Sequence, residues 1–223
     1  MDLLVLAKEP VPGRVKTRLC PPCTPDQAAA IAAAALADTL ASACASGADR
    51  VVLALDGRPG DWCPRRVDVV DQGTGDLADR LTRSWTATNG PALQIGMDTP
   101  QLVPGDLDAA MAALEASQVD AVLGPAADGG WWAIGLRHRH AGAFTGIPTS
   151  RPDTGARQAD RLAALGLRTR RLPVRRDVDT WHDALVVADA CPTSSFAAAV
   201  RRVQDGDPVR RPVPALRVEP GSR

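Results

Sequence analysis

Short apolar runs recur along the chain, and helix-compatible stretches fall between them. Residues 2–7, 51–55, 67–70, 92–97, 119–123, 131–136 and 168–174 read as strands. Residues 24–46, 76–89, 104–117, 154–165, 180–190 and 194–204 read as helices, the first opened by Thr24 as a cap with Pro25 behind it. This alternation predicts an α/β fold, a mostly parallel, Rossmann-like sheet covered by helices on both faces. Such folds take ligands beyond the carboxyl ends of their strands. Lys8, Asp56, Asp98 and Asp128 all follow strands, which locates a site. Between the first strand and first helix, Pro10, Pro12, Gly13, Pro21 and Pro22 exclude a regular element from residues 8–24.

The length of 223 residues predicts one domain, placed over residues 1–206. Residues 207–223 are rich in Pro and Arg and predict a poorly ordered tail. The formal net charge is zero, which argues against a nucleic-acid or membrane surface as partner. The N-terminal apolar run is too short for a signal peptide or a membrane span. Five cysteines, an odd number without secretory context, predict reduced thiols and a cytoplasmic protein. Cys20 and Cys23 have CxxC spacing but no second pair to complete a zinc site. Nothing in the sequence sets the oligomeric state.

Of 26 basic residues only Lys8 and Lys16 are lysines, and both fall in the loop after the first strand. A lysine is a compact point charge on phosphate, where arginine acts as a fork. With Arg14 and Arg18 they place four cations in one loop, and Gly13 permits a tight turn there. Ala7, Lys8, Gly13, Arg14, Lys16, Thr17 and Arg18 are therefore candidate phosphate-binding residues. The segment is neither a Walker A loop nor a GxGxxG fingerprint. Asp56, Gly75 and Asp76 complete the candidate nucleotide set, although Asp76 also reads as a helix cap. Asp98 follows a buried strand, where a carboxylate is costly unless exposed or paired, and Mg²⁺ or Mn²⁺ would suit it. Asp177 and Asp179 share a side if their stretch is extended, so the pair joins Asp98 as candidate metal ligands. The competing reading makes Asp179 or Thr180 the cap of the following helix. Asp128 stands before Gly129, Gly130, Trp131 and Trp132, in a chain with only five Trp, two Phe and no Tyr. The glycines let backbone approach a ligand, and a tryptophan could wall a sugar face.

These segments, in this order, resemble a bacterial family of glycosyltransferase-A-like proteins, the domain-of-unknown-function 2064 family, also called selenodomain-associated transferase 1. The resemblance covers about residues 1–190. It rests on the loop from Lys8 to Leu19, the Gly75-Asp76-Leu77 segment, Gly96 to Leu102, Asp128 to Leu136, and Asp177 to Thr180. Members usually carry serine and cysteine around the central aspartate, where this chain has Met97 and Thr99. They usually carry tyrosines where Trp131 and Trp132 stand. The resemblance implies the three-layer α/β/α fold of nucleotide-diphospho-sugar transferases. The chain is more distantly similar to phospholactate guanylyltransferases and molybdenum-cofactor nucleotidyltransferases.

Three functions follow as expectations. The first is metal-dependent glycosyl transfer from a nucleoside diphosphate sugar. There the cations neutralise the leaving group, with Lys16 prominent, and Asp128 serves as base. The second is nucleotidyl transfer with release of pyrophosphate. The third is a non-catalytic nucleotide-binding module. The expected partner in each case is a nucleotide or nucleotide sugar, with Mg²⁺ or Mn²⁺ as the cofactor of the first two.

Overall fold

The computed structural model describes residues 1–148 and 151–206. The tail predicted for 207–223 lies outside the described residues. The chain runs β1 (Asp2–Lys8), α1 (Pro25–Ala45), β2 (Arg50–Asp56), β3 (Asp68–Asp71), α2 (Leu77–Trp85), β4 (Ala92–Gly96) and α3 (Pro104–Glu115). It continues through β5 (Ala121–Pro125), β6 (Trp131–Leu136), α4 (Thr154–Ala164), β7 (Thr169–Arg171), α5 (Trp181–Ala190) and α6 (Ser195–Gln204). One seven-stranded sheet results, in the order β3-β2-β1-β4-β6-β5-β7. All pairings are parallel except those of β6, which runs against both β4 and β5. The mostly parallel α/β sheet expected from the alternation of elements is the one observed.

Strands covered on both faces must be apolar on both. Leu3, Val5, Leu53, Leu93 and Ile95 pack on the face covered by α1 and α3. Leu4, Val52, Ala54, Leu123 and Ile134 pack on the other, against Leu81 and Trp85 of α2 and Leu162 of α4. A third cluster lies outside α1, where Ala28, Ile31 and Ala35 meet Val187 of α5 and Phe196 and Val200 of α6. The helix α1 is thus buried on two sides. That is why it is alanine-rich and apolar nearly all round, since small side chains let the sheet and α6 both come close. By length and composition α1 could cross a membrane; its packing between the sheet and α5–α6 accounts for the same apolarity. Thr24 and Gln27 form a reciprocal capping box at its start.

Three details depart from the sequence reading. The strand expected over 168–174 is only Thr169–Arg171, an exposed edge strand. The loop expected to be irregular contains a single 3₁₀ turn, Thr17–Leu19, because Leu19 is fully buried against α1, α5 and α6 and draws the loop inward. The helix α2 stops at Trp85 instead of near Asn89, because the buried Trp85 donates its indole N–H to Gln94 Oε1 of β4 at 2.5 Å.

The chain leaves β1 toward β2 on one side and returns to β4 on the other. The β1–β4 boundary is therefore the switch point of the sheet, with a crevice at its carboxyl edge.

Candidate active site

Lys8 ends β1 and is the register partner of Asp56 on β2. Both line a cleft of ≈ 200 Å³ together with Glu9, Arg14 and Val15. Gly13 adopts φ +76°, and the Arg14 N–H donates to Val11 O at 3.0 Å, so a tight turn carries the exposed Arg14. Among the described residues, Lys16 is the one non-glycine with positive φ, at 48°. Its backbone turns its side chain back toward the sheet. The ammonium lies 2.7 Å from Asp98 Oδ1 and donates to the Val178 carbonyl. The Lys16–Asp98 contact has the distance of an ion pair without the angles of a hydrogen bond, and buried Asp98 Oδ1 accepts no hydrogen bond. Arg18 pairs with Asp179. Among the described residues, the backbone N–H groups of Val15, Lys16 and Thr17 meet no acceptor.

The segment 175–178 lies between two strand ends. Arg175 bridges to Ala126, with Ala127 N–H donating to Arg175 O at 2.9 Å. On the other side Val178 N–H donates to Asp98 O at 2.8 Å, and Gln101 Nε2 donates to Arg176 O at 2.5 Å. Asp177 is held between Asp98 and Asp128. Burial pushes its carboxyl up to about 6, and the neighbouring Asp128 and Asp98 charges push in the same direction. The charges of Asp98 and Asp128 thus both reach Asp177, in the segment that accepts the Lys16 ammonium.

The metal set expected from sequence forms only in part. Asp98 and Asp177 come together, but Asp179 is engaged by Arg18. Among the described residues no three Asp, Glu, His or Cys side chains are close enough to hold an ion by themselves. A hard dication nevertheless fits: buried Asp98 Oδ1 accepts no hydrogen bond and has only the Lys16 ammonium beside it, and burial, then the Asp128 charge, push the Asp177 carboxyl up. Mg²⁺ is commonly held by one or two carboxylates plus substrate phosphates, and two carboxylates are present. Thr180, not Asp179, caps α5.

Other expectations are corrected by the geometry. Asp76 caps α2, its Oδ1 accepting from Asp79 N–H at 2.9 Å, as the cap reading of that residue expects. Gly75, at φ +113°, is required because a Cβ there would strike Asp79. Gly129 serves packing: a Cβ would stand 1.9 Å from Pro152 O, and its own carbonyl accepts from Gly155 N–H at the start of α4. Gly130 N–H donates to Asp128 Oδ1 at 2.8 Å and so fixes that carboxylate. The tryptophans alternate across the sheet. Trp131 is half-buried against the α2–α4 face. Trp132 is in the core beneath Gly124, its indole N–H bonded to Pro173 O at 2.9 Å, and is not a wall for a sugar. Burial and then the neighbouring Cys20 push the Cys23 thiol up to about 11, away from a reactive thiolate.

Sequence reasoning missed Gln72 and Arg80. Buried Gln72 donates to Ala7 O at 2.6 Å and Ala54 O at 2.9 Å, so it closes the floor between β1 and β2 and occupies the Ala7 carbonyl. Arg80 of α2 holds Asp56 Oδ2 at 3.2 Å. The glycines around Gln72 marked the loop, but nothing in the sequence marked its side chain as the anchor.

No curated protein matches the chain. Solved structures share its fold. One is a Desulfovibrio desulfuricans G20 protein, provisionally called a nucleotide-diphospho-sugar transferase. It superposes with TM-score 0.80 at 24% identity, over 93% of this chain and 99% of its own. Rv0371c of Mycobacterium tuberculosis H37Rv, solved in complex with manganese, gives 0.51 at 20% identity, over 84% and 98%. A cytidylyltransferase of Leptospira borgpetersenii serovar Hardjo-bovis gives 0.54 at 14% identity, over 92% and 94%. A family-wide profile matches residues 28–151, more than half of the chain, which therefore belongs to the family described as uncharacterised proteins conserved in bacteria, domain of unknown function 2064.

Proposed function

We propose that the chain is a metal-dependent transferase acting on a nucleotide-activated donor, and that it moves a glycosyl group from a nucleoside diphosphate sugar. The observation that carries this reading is the Lys16–Asp98 ion pair at the sheet's switch point, with the half-buried Asp177 close enough to feel the Asp98 charge. A cation loop alone would be a solvated surface, and an acidic cluster alone would repel a diphosphate. Together they suit a diphosphate bound with a dication. Manganese in a protein of the same fold supports the reading.

Asp98 and Asp177 would hold Mg²⁺ or Mn²⁺, which supplies positive charge to the diphosphate as the bond to the sugar breaks. Lys16, once drawn from Asp98, and the exposed Arg14 and Arg18 neutralise the departing diphosphate. The open amides of Val15, Lys16 and Thr17 offer it donors. Asp128 faces the same space and is fixed by Gly130, so it is the carboxylate placed to take the proton from an acceptor hydroxyl. The sugar–phosphate bond breaks, the sugar–acceptor bond forms, and the nucleoside diphosphate leaves.

Nucleotidyl transfer is the second reading, favoured by the shared fold of a cytidylyltransferase. It differs in product, since pyrophosphate would leave. The test is a thermal-shift series of nucleoside mono-, di- and triphosphates and nucleotide sugars, each with and without Mn²⁺. A Mn²⁺-dependent rise with diphosphates or nucleotide sugars is expected, and its loss in Asp98→Asn. A rise confined to triphosphates would move the assignment to nucleotidyl transfer. Unchanged Mn²⁺ dependence in the variant would remove Asp98 from the site.

A further inference from the structure

We propose that the crevice between α3 and the edge strand β7 binds a small carboxylic acid with an apolar body, and that Arg170 holds its carboxylate. By sheet order the crevice lies beyond β4, on the other side of the switch point from the cleft at Lys8 and Asp56, so this site is independent of the donor reading. Its volume is ≈ 190 Å³. The sheet ends at β7, and α3 faces it with Ala109, Ala110 and Ala113, whose short side chains leave the space open. Buried Trp132 and Leu172 form the floor. The Trp132 indole N–H is already taken by Pro173 O, so the floor is apolar toward an occupant.

The rim carries the charge. Arg170, Arg171 and Arg175 line the crevice against a single carboxylate, Asp106. The arginines before and after are matched: Arg168 pairs with Asp120, Arg175 with Asp106 and Arg176 with Asp183. Among the described residues Arg170 and Arg171 have no acidic partner. Leu172 continues the ladder of β7, its N–H donating to Leu123 O at 2.9 Å. Alternate residues of a strand share a face, so Arg170 stands on the face of Leu172, beside the apolar floor. A guanidinium is a fork of donors that matches a carboxylate. The crevice already contains one such match, Arg175 Nη2 to Asp106 Oδ1 at 2.6 Å. Exposed Val174, next to Arg175, and exposed Val103, whose N–H donates to Asp106 Oδ2 at 3.2 Å, add apolar surface at that end. A dry cavity of about 150 Å³ takes up benzene, so this volume suits a body of about six carbons.

Isothermal titration of the full chain with sodium acetate, butyrate, hexanoate and octanoate tests the site, with hexylammonium chloride as the charge control. Affinity should rise about fourfold per added methylene up to hexanoate and gain nothing more with octanoate. Hexylammonium should not bind. Arg170→Gln should weaken hexanoate binding about fivefold. Ala109→Leu should abolish it; Ala109 is exposed, so the larger side chain fills the crevice without entering the core. The chain-length series and the hexylammonium control use the unaltered protein, so they decide the matter even if a variant does not fold. Absence of saturable hexanoate binding, equal binding of hexylammonium, a further rise at octanoate, or an unchanged hexanoate affinity in either folded variant would overturn the assignment. Each of these results leaves the nucleotide reading standing.

Discussion

Lys16 combines a costly backbone with a central side chain. A left-handed conformation costs a non-glycine residue about 1–2 kcal/mol, and here it aims the ammonium at Asp98 and Val178 O. Two substitutions separate backbone from charge. Lys16→Ala and Lys16→Gly both delete the ammonium, and both should weaken diphosphate binding far more than nucleoside binding. Glycine should nonetheless be the more stable variant by about 1 kcal/mol in urea unfolding, because only it accepts this φ without strain. Equal stabilities would mean that the loop abandons the left-handed turn once the ammonium is gone. The sequence marked Lys16 by its rarity, yet nothing local marked its backbone. Its partners lie far along the chain, and proline and glycine spacing does not reach them. The same holds for Arg18 and Asp179, whose pairing took Asp179 out of the expected metal set.

Most of the elements were more legible, because their signals are local. Thr24 and Thr180 cap their helices by rules that span three residues, and the apolar runs became strands within a residue or two, except that the run expected over 168–174 pairs only over Thr169–Arg171. The fate of Trp131 and Trp132 was not legible. Adjacent strand residues face opposite ways, and only the layers above and below show that both tryptophans are packed. The helix α1 has a double load that its composition hinted at but did not explain. Ala35 is 2% exposed and faces Val187 and Phe196. Ala35→Leu should destabilise the protein by about 1–3 kcal/mol through overpacking against α5 and α6. A neutral outcome in chemical denaturation would mean that α5–α6 yields as a unit.

For the molecule as a whole, the site works against stability. Asp177 titrates near 6 when folded, above the ordinary carboxylate range near 4. The native state therefore holds a proton that the unfolded chain has released, and stability falls as pH rises through that window. Asp177→Asn should remove the slope. In chelator-containing buffer it should melt above the unaltered protein at pH 7.5 and match it below pH 4. A lower melting temperature at pH 7.5 would show that Asp177 stabilises the fold despite its crowding. The bond from Lys16 to Val178 spans 162 positions. A ribosome adds about 5–20 residues per second, so the first part of the site waits about 10–30 s for the last. Throughout that interval Arg18 lacks its acidic partner Asp179, and Lys16 lacks Asp98 for about the first half of it. During synthesis, the phosphate-facing loop exists well before the segment that closes the cleft around it.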